Sequence, residues 1–142
     1  MNPLHLLNGK ETFGVSFPMK VRSLILELSE ILDIEINKLD KSIDSLKLLD
    51  IALYHKQNLI DEDFINSNLM RIEAYLGEVF IQNYGGTWQV DYNEKFNIYI
   101  PFVSINGKKI SFYPYVMENL LEQEIPDIRF CFRMAMPHGH PS

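Results

Sequence analysis

Carboxylates, four histidines and a single thiol are the side chains of this 142-residue chain that could do chemistry. Their spacing limits what that chemistry can be. Glu73 and Glu78 form a separated pair, but positions five apart on a helix lie about 140° apart around its axis, too far for a shared acid/base role. Asp61-Glu62-Asp63 stand just ahead of a periodic apolar run, where carboxylates complement the positive end of a helix dipole, a better account than a metal site. His5, His55, His138 and His140 are scattered. The His138-Gly139-His140 pair offers two ligands, short of a closed metal site, and His55 falls near a helix C-terminus, where a cation is favoured. Cys131 on its own permits neither an intrachain disulfide nor a Cys-rich zinc site, and reads as a small buried apolar residue. The nucleophile elbow, the phosphate-binding glycine loop, the HExxH zinc helix and the EF-hand loop are all missing. No catalytic residue, metal or cofactor is therefore expected.

A polar and aromatic group remains. Tyr75, Glu78 and Gln82 fall on neighbouring turns of one helical flank, and Trp88 follows just past Gly85-Gly86. Gly77 interrupts the same helix at a cost of ~1 kcal/mol against Ala, which asks for a close approach by another backbone, as where the sheet packs. Such a group is either a patch for a ligand or protein, or the junction where helix meets sheet. The structural reading is favoured. The candidate binding residues are Tyr75, Glu78, Gln82 and Trp88, with Asp61, Glu62 and Asp63 as an acidic contribution.

The elements that must position these residues follow from hydrophobic period. After an irregular opening through Phe17-Pro18, Val21, Leu24, Ile25, Leu28, Ile31 and Leu32 mark a first helix. Ser42 caps a second, with Asp44 in its first turn and Ile43, Leu46, Leu49 and Leu53 as its buried stripe. The third runs from the acidic triplet through Ile65, Leu69, Ile72, Leu76, Val79 and Phe80 to Gly85-Gly86, whose positive φ ends it. Alternation then predicts a hairpin, Trp88–Tyr92 and Phe96–Ile100, closed at Asn93-Glu94-Lys95 and ended or bent by Pro101. Asn106-Gly107 predicts a type I′ turn into a return strand over 108–112. Pro114 opens a short helix over Tyr115–Glu124, stopped by Pro126. Ile128, Phe130, Phe132, Met134 and Met136 alternate with Arg129, Cys131 and Arg133, a pattern read as a last strand, and 137–142 reads as a disordered tail. The expectation is one α+β domain over 1–142: three N-terminal helices, an antiparallel meander, a short helix and a C-terminal strand.

Composition bounds the partners. With 46% hydrophobic residues and no apolar run near the ~20 residues that cross a bilayer, the chain reads as one globular domain with no membrane role. The net charge of −6 is unevenly spread: residues 21–100 carry seven basic and fourteen acidic side chains, whereas 101–142 balance. Only Lys108-Lys109 stand together among the basic residues, which disfavours nucleic acid. The opening residues lack a secretion signal, so the cytoplasm is the expected location.

The run Tyr75-Leu76-Gly77-Glu78 followed by Gly85-Gly86-Thr87-Trp88, with Ser45-Leu46 and Leu49-Asp50 upstream, resembles a motif of small bacterial domains of the DUF3806-like kind. The likeness covers about residues 42–125. It implies a helix whose Gly-Gly turn feeds a Trp-bearing strand. Such domains have no agreed activity, and several small acidic bacterial proteins of this appearance are immunity proteins that neutralise a toxin by binding it. The expected function is accordingly a non-catalytic protein-binding domain, an immunity or inhibitor protein meeting a basic toxin through an acidic helical face. A small-molecule-binding domain or enzyme with its site at the junction of helix three and the sheet is the alternative. Homo-oligomerisation through the C-terminal strand is a further expectation.

Overall fold

Asp61 accepts a hydrogen bond from the Phe64 N–H at 2.8 Å, and this cap starts the longest helix of the molecule. In the computed structural model, which describes residues 16–95, 97–122 and 125–136, the elements are α1 (Phe17–Leu32), α2 (Leu46–His55), α3 (Glu62–Tyr84), β1 (Thr87–Asn93), β2 (Ile98–Ile105), β3 (Lys108–Ile110), α4 (Tyr113–Leu121) and α5 (Ile128–Met134). The mixed α+β class is the one expected. At 23 residues α3 is about 34 Å long, enough to carry most of the core on its faces. Glycine ends it for a conformational reason, since Gly85 and Gly86 take φ of 93° and 104°.

One flank of α3 packs on α1, another on α4, and the end of α3 leads into β1. Glu27 of α1 meets Arg71, and Phe17 meets Trp88 beyond the far end of α3, so α1 and α3 run antiparallel. The sheet is a meander in the order β1-β2-β3, both pairings antiparallel. Asn106 and Gly107 both have positive φ, as the type I′ turn between β2 and β3 requires. A second centre of packing is aromatic: Phe80 of α3 touches Phe112 and Phe132, which stack on each other at 5.3 Å and thereby join α3, α4 and α5.

The structure corrects several expectations. The first helix begins at Phe17, with Pro18 accommodated in its opening turn, where a missing N–H costs nothing. Ser42 does cap, through its hydroxyl and the Ser45 N–H, but the first turn is 3₁₀ and Ile43 is exposed. Pro101 does not end β2. It pairs with Val90 of β1, while β3 reaches β2 only from Val103 to Ile105, so no partner strand needs the missing N–H on the other side. The return strand β3 is short, and α4 starts at Tyr113 rather than Tyr115.

The largest correction concerns the end of the chain, where residues 128–134 form the helix α5 and not a strand. Asp127 caps it by accepting from the Phe130 N–H at 3.0 Å. Ile128, Cys131 and Phe132 are buried, a helical i, i+3, i+4 stripe hidden inside an apparent alternation, while Phe130 and Met134 are about half exposed. Among the described residues, the C-terminal segment accordingly offers no strand edge through which copies could extend a sheet. The predicted irregular segment, as far as residue 15, and the predicted tail over 137–142 lie outside the described residues, as do Phe96 and Glu124.

Candidate functional site

The group around Tyr75, Glu78 and Trp88 is brought together, and its polar atoms are committed to other parts of the chain. Trp88 donates its indole N–H to Glu78 Oε2 at 2.8 Å, and Glu78 Oε1 meets Lys41 Nζ at 3.2 Å. The buried Tyr75 hydroxyl lies 2.5 Å from Ser45 Oγ and accepts from the Lys41 N–H at 3.1 Å. Asn83, one α3 turn on, donates to the Lys41 carbonyl at 3.0 Å. Three side chains of α3 therefore grip the N–H, the carbonyl and the ammonium of one residue, which turns the chain with φ of 66° between α1 and α2. Burial pushes the Tyr75 hydroxyl pKa up, with its hydrogen bonds to Ser45 and Lys41 opposing.

Gly77 explains the rest of the junction. The Trp88 indole lies so close to α3 that a Cβ at position 77 would overlap its Cη2 and Cζ2 atoms. The close approach at this glycine is thus made by a side chain and not by the backbone expected, and the Phe17 ring packs edgewise with the indole, centroids 5.1 Å apart. Gln82 is exposed, away from these contacts. Asp61, Glu62 and Asp63 are exposed at the opposite end of α3, where Asp61 caps and the other two occupy the first turn. The sequence-predicted residues thus fall at two separate ends of one helix.

Glu73 has a role that its spacing from Glu78 does not reveal. Its side chain is fully buried, and Oε1 accepts from the Phe112 N–H at 3.0 Å and the Tyr113 N–H at 2.5 Å. These are donors at the start of α4, whose next residue is Pro114 with no N–H to satisfy. One carboxyl from α3 thus caps a helix forty residues away and fixes its position. Burial raises the Glu73 pKa to about 8, although the two backbone bonds favour the ionised form.

A cluster of exposed apolar side chains lies where α2, α4 and α5 meet, and sequence reasoning missed it because the last segment reads as a strand. Tyr115, Glu118, Asn119 and Glu122 form one wall of a groove of about 900 Å³; Phe130, Cys131 and Met134 form the other, with Ile125 and Asp127 at its end. A shallower groove continues past Ile125 and Asp127 to Ile51, Tyr54 and His55 of α2. Ile51, Tyr54, Ile125, Phe130 and Met134 are between 47% and 69% exposed, unusually high for large apolar side chains gathered in one place. Asp127 as cap and the Ile128/Cys131/Phe132 spacing were the available signals for this helix.

The charged side chains that line the groove between α4 and α5 are all acidic. Among the described residues Glu118, Glu122 and Asp127 make no ion pair, while Asp50 of α2 is engaged with the Arg129 guanidinium at 3.1 Å and with the Ile128 N–H. The Asp50 carboxylate pins the first turn of α5 to α2, and burial raises its pKa. In the groove lining the Cys131 thiol donates to the Tyr115 carbonyl at 3.4 Å, and its pKa is pushed up to about 12, first by burial and then by Asp127, Asp50 and Glu118. Burial and the raised pKa both keep that thiol in its protonated form, the weaker nucleophile. Among the described residues no three His, Cys, Asp or Glu side chains converge as a metal site, and no helix is long and apolar enough to cross a membrane. Comparison with family models, curated proteins and solved structures found no match for this chain.

Proposed function

We propose that this chain is a non-catalytic protein-binding domain that recognises a basic partner, in the manner of an immunity or inhibitor protein that neutralises a toxin by occupying it. The observation that carries this reading is the exposed apolar surface of Ile51, Tyr54, Ile125, Phe130 and Met134, bordered by carboxylates with no ion-pair partner among the described residues. Apolar centres with a charged rim supply affinity at the centre and orientation at the edge. The excess of acid over residues 21–100 adds a long-range field that speeds encounter with a positive surface. The resemblance of the Tyr75–Trp88 run to DUF3806-like bacterial domains supports the same class by association.

The acidic face expected from the sequence was placed on Asp61, Glu62 and Asp63. In this reading those residues contribute to the field, and contact is made on the α2, α4 and α5 side. The junction of α3 and the sheet is a scaffold, because Tyr75, Glu78 and Trp88 spend their polar atoms on Lys41, Ser45 and one another.

The test is co-expression with the product of the open reading frame adjacent to this gene, with growth as the readout. Relief of growth arrest together with a purified one-to-one complex supports the reading. Absence of any growth arrest to relieve, together with absence of a complex at low salt, overturns it.

A further inference from the structure

The groove is lined by side chains of α4, α5 and the segment between them, and among the described residues no strand borders it. Helical walls offer no row of main-chain donors and acceptors, so an extended peptide would lose its backbone hydrogen bonds to water without replacing them. A helix satisfies its own backbone and brings only side chains. The groove's apolar lining includes Phe130, Met134 and Ile125, and its charged lining is Glu118, Glu122 and Asp127. These three carboxylates have no ion-pair partner among the described residues, so the charge they present to whatever enters is negative. An anionic membrane surface or an acidic peptide would be repelled there.

We infer that this groove receives an amphipathic helix of the partner protein, its apolar stripe against Phe130 and Met134 and its Lys or Arg residues against Glu118, Glu122 and Asp127. This rests on the proposed protein-binding function and names the occupant of that surface. α4 is 9 residues long and α5 is 7, so the contact spans two to three turns of the incoming helix. Within that length, apolar anchors at i, i+3 or i+4 and i+7 reach the apolar lining, while basic residues one position away reach the carboxylates. Glu73 matters indirectly: by capping α4 from the core it holds one wall of the groove at a fixed position without touching the occupant.

The probe is a Leu/Lys amphipathic helical peptide of about 14 residues, long enough to form a helix when docked. Its controls are a scrambled Leu/Lys peptide of equal charge and a Leu/Glu counterpart, all titrated into the full chain with amide NMR shifts recorded. The expected result is saturable binding of the amphipathic Lys peptide alone, with shifts concentrated in α4 and α5. Phe130→Asp, and separately Glu118→Lys combined with Glu122→Lys, should each weaken it on the order of tenfold or more. Both changes fall on exposed side chains, and unchanged Trp88 emission confirms that the variants fold. Equal binding of the scrambled peptide, shifts centred elsewhere, or variants that bind like the wild type overturn the inference. So does a self-associated form that Phe130→Asp dissociates, which would assign the groove to a second copy of the chain. Failure of the co-expression test with the peptide result intact sinks the functional reading alone. A partner complex indifferent to Phe130→Asp sinks the groove alone.

Discussion

Replacing Gly77 with Ala tests how the α3 junction is built. In an ordinary helix interior this change stabilises by ~1 kcal/mol, because Ala restricts the unfolded chain and favours helix. Here the new methyl would overlap Cη2 and Cζ2 of Trp88 and approach Cζ3 at 3.1 Å. If the indole stays and its neighbours give way, overpacking costs about 1–3 kcal/mol. If the indole leaves, the molecule loses a hydrogen bond to a carboxylate, worth about 1.5–3 kcal/mol, and an edge contact with Phe17 worth about 0.5–1.5 kcal/mol. With two ring atoms overlapped, the first route falls at the upper end of its range, so after the propensity gain Gly77→Ala is expected to destabilise by about 1–3 kcal/mol net. Urea denaturation gives the stability, and the emission of Trp88, the single tryptophan, reports whether the ring has moved toward water. Combining Gly77→Ala with Trp88→Phe should recover part of the loss, since the shorter ring vacates the overlapping atoms, with a coupling of about 1 kcal/mol or more. A Gly77→Ala variant as stable as the wild type, with unchanged emission, would refute the packing argument.

The remaining predictions concern the second half of the fold. The Glu73 pKa is raised from its ordinary 4.5 to about 8, so protonation favours the folded state: its contribution is complete below pH 4.5 and is lost as pH rises through 8. The full span is up to about 5 kcal/mol. Glu73→Gln should flatten the pH dependence of stability over that window, and a slope identical to wild type would remove Glu73 as its source. Asp50→Ala removes the acceptor for the Ile128 N–H and the Arg129 guanidinium, and is expected to cost about 2 kcal/mol, with faster hydrogen exchange in α5 and little change in α1. Equal exchange in both helices would contradict that assignment. Cys131, buried and with its pKa pushed up to about 12, should react with a thiol reagent at pH 8 only as fast as the protein opens, and should become reactive on unfolding.

How much of this is legible in the sequence depends on whether a residue's partner is near it in the chain. Asp61 as a cap, Gly85 as a stop and Asn106-Gly107 as a type I′ turn all act within a few residues, and each does what its type implies. Gly77 is legible as an anomaly, but the cause of that anomaly, an indole eleven residues later, is a tertiary contact. Glu73 is harder still. A carboxylate in the middle of an apolar helix gives no hint that it serves a helix start near residue 113, because the helix that benefits supplies only backbone N–H groups. The segment Ile128–Met134 misleads because its apolar residues satisfy two periods at once, and burial of Cys131 beside Phe132 decides for the helix. That misreading hid the candidate site, since the groove exists only when Phe130 and Met134 project from the same side of α5, one turn apart.

The central claim is that the α2, α4 and α5 surface binds a basic protein. Calorimetric titration of the purified product of the adjacent open reading frame into the full chain, beside the Phe130→Asp variant, measures it most directly. The account predicts a one-to-one complex that weakens with salt, as screened carboxylates require, and that loses on the order of tenfold in affinity or more in the variant. Absence of binding at low salt, or an affinity that Phe130→Asp leaves untouched, would contradict it.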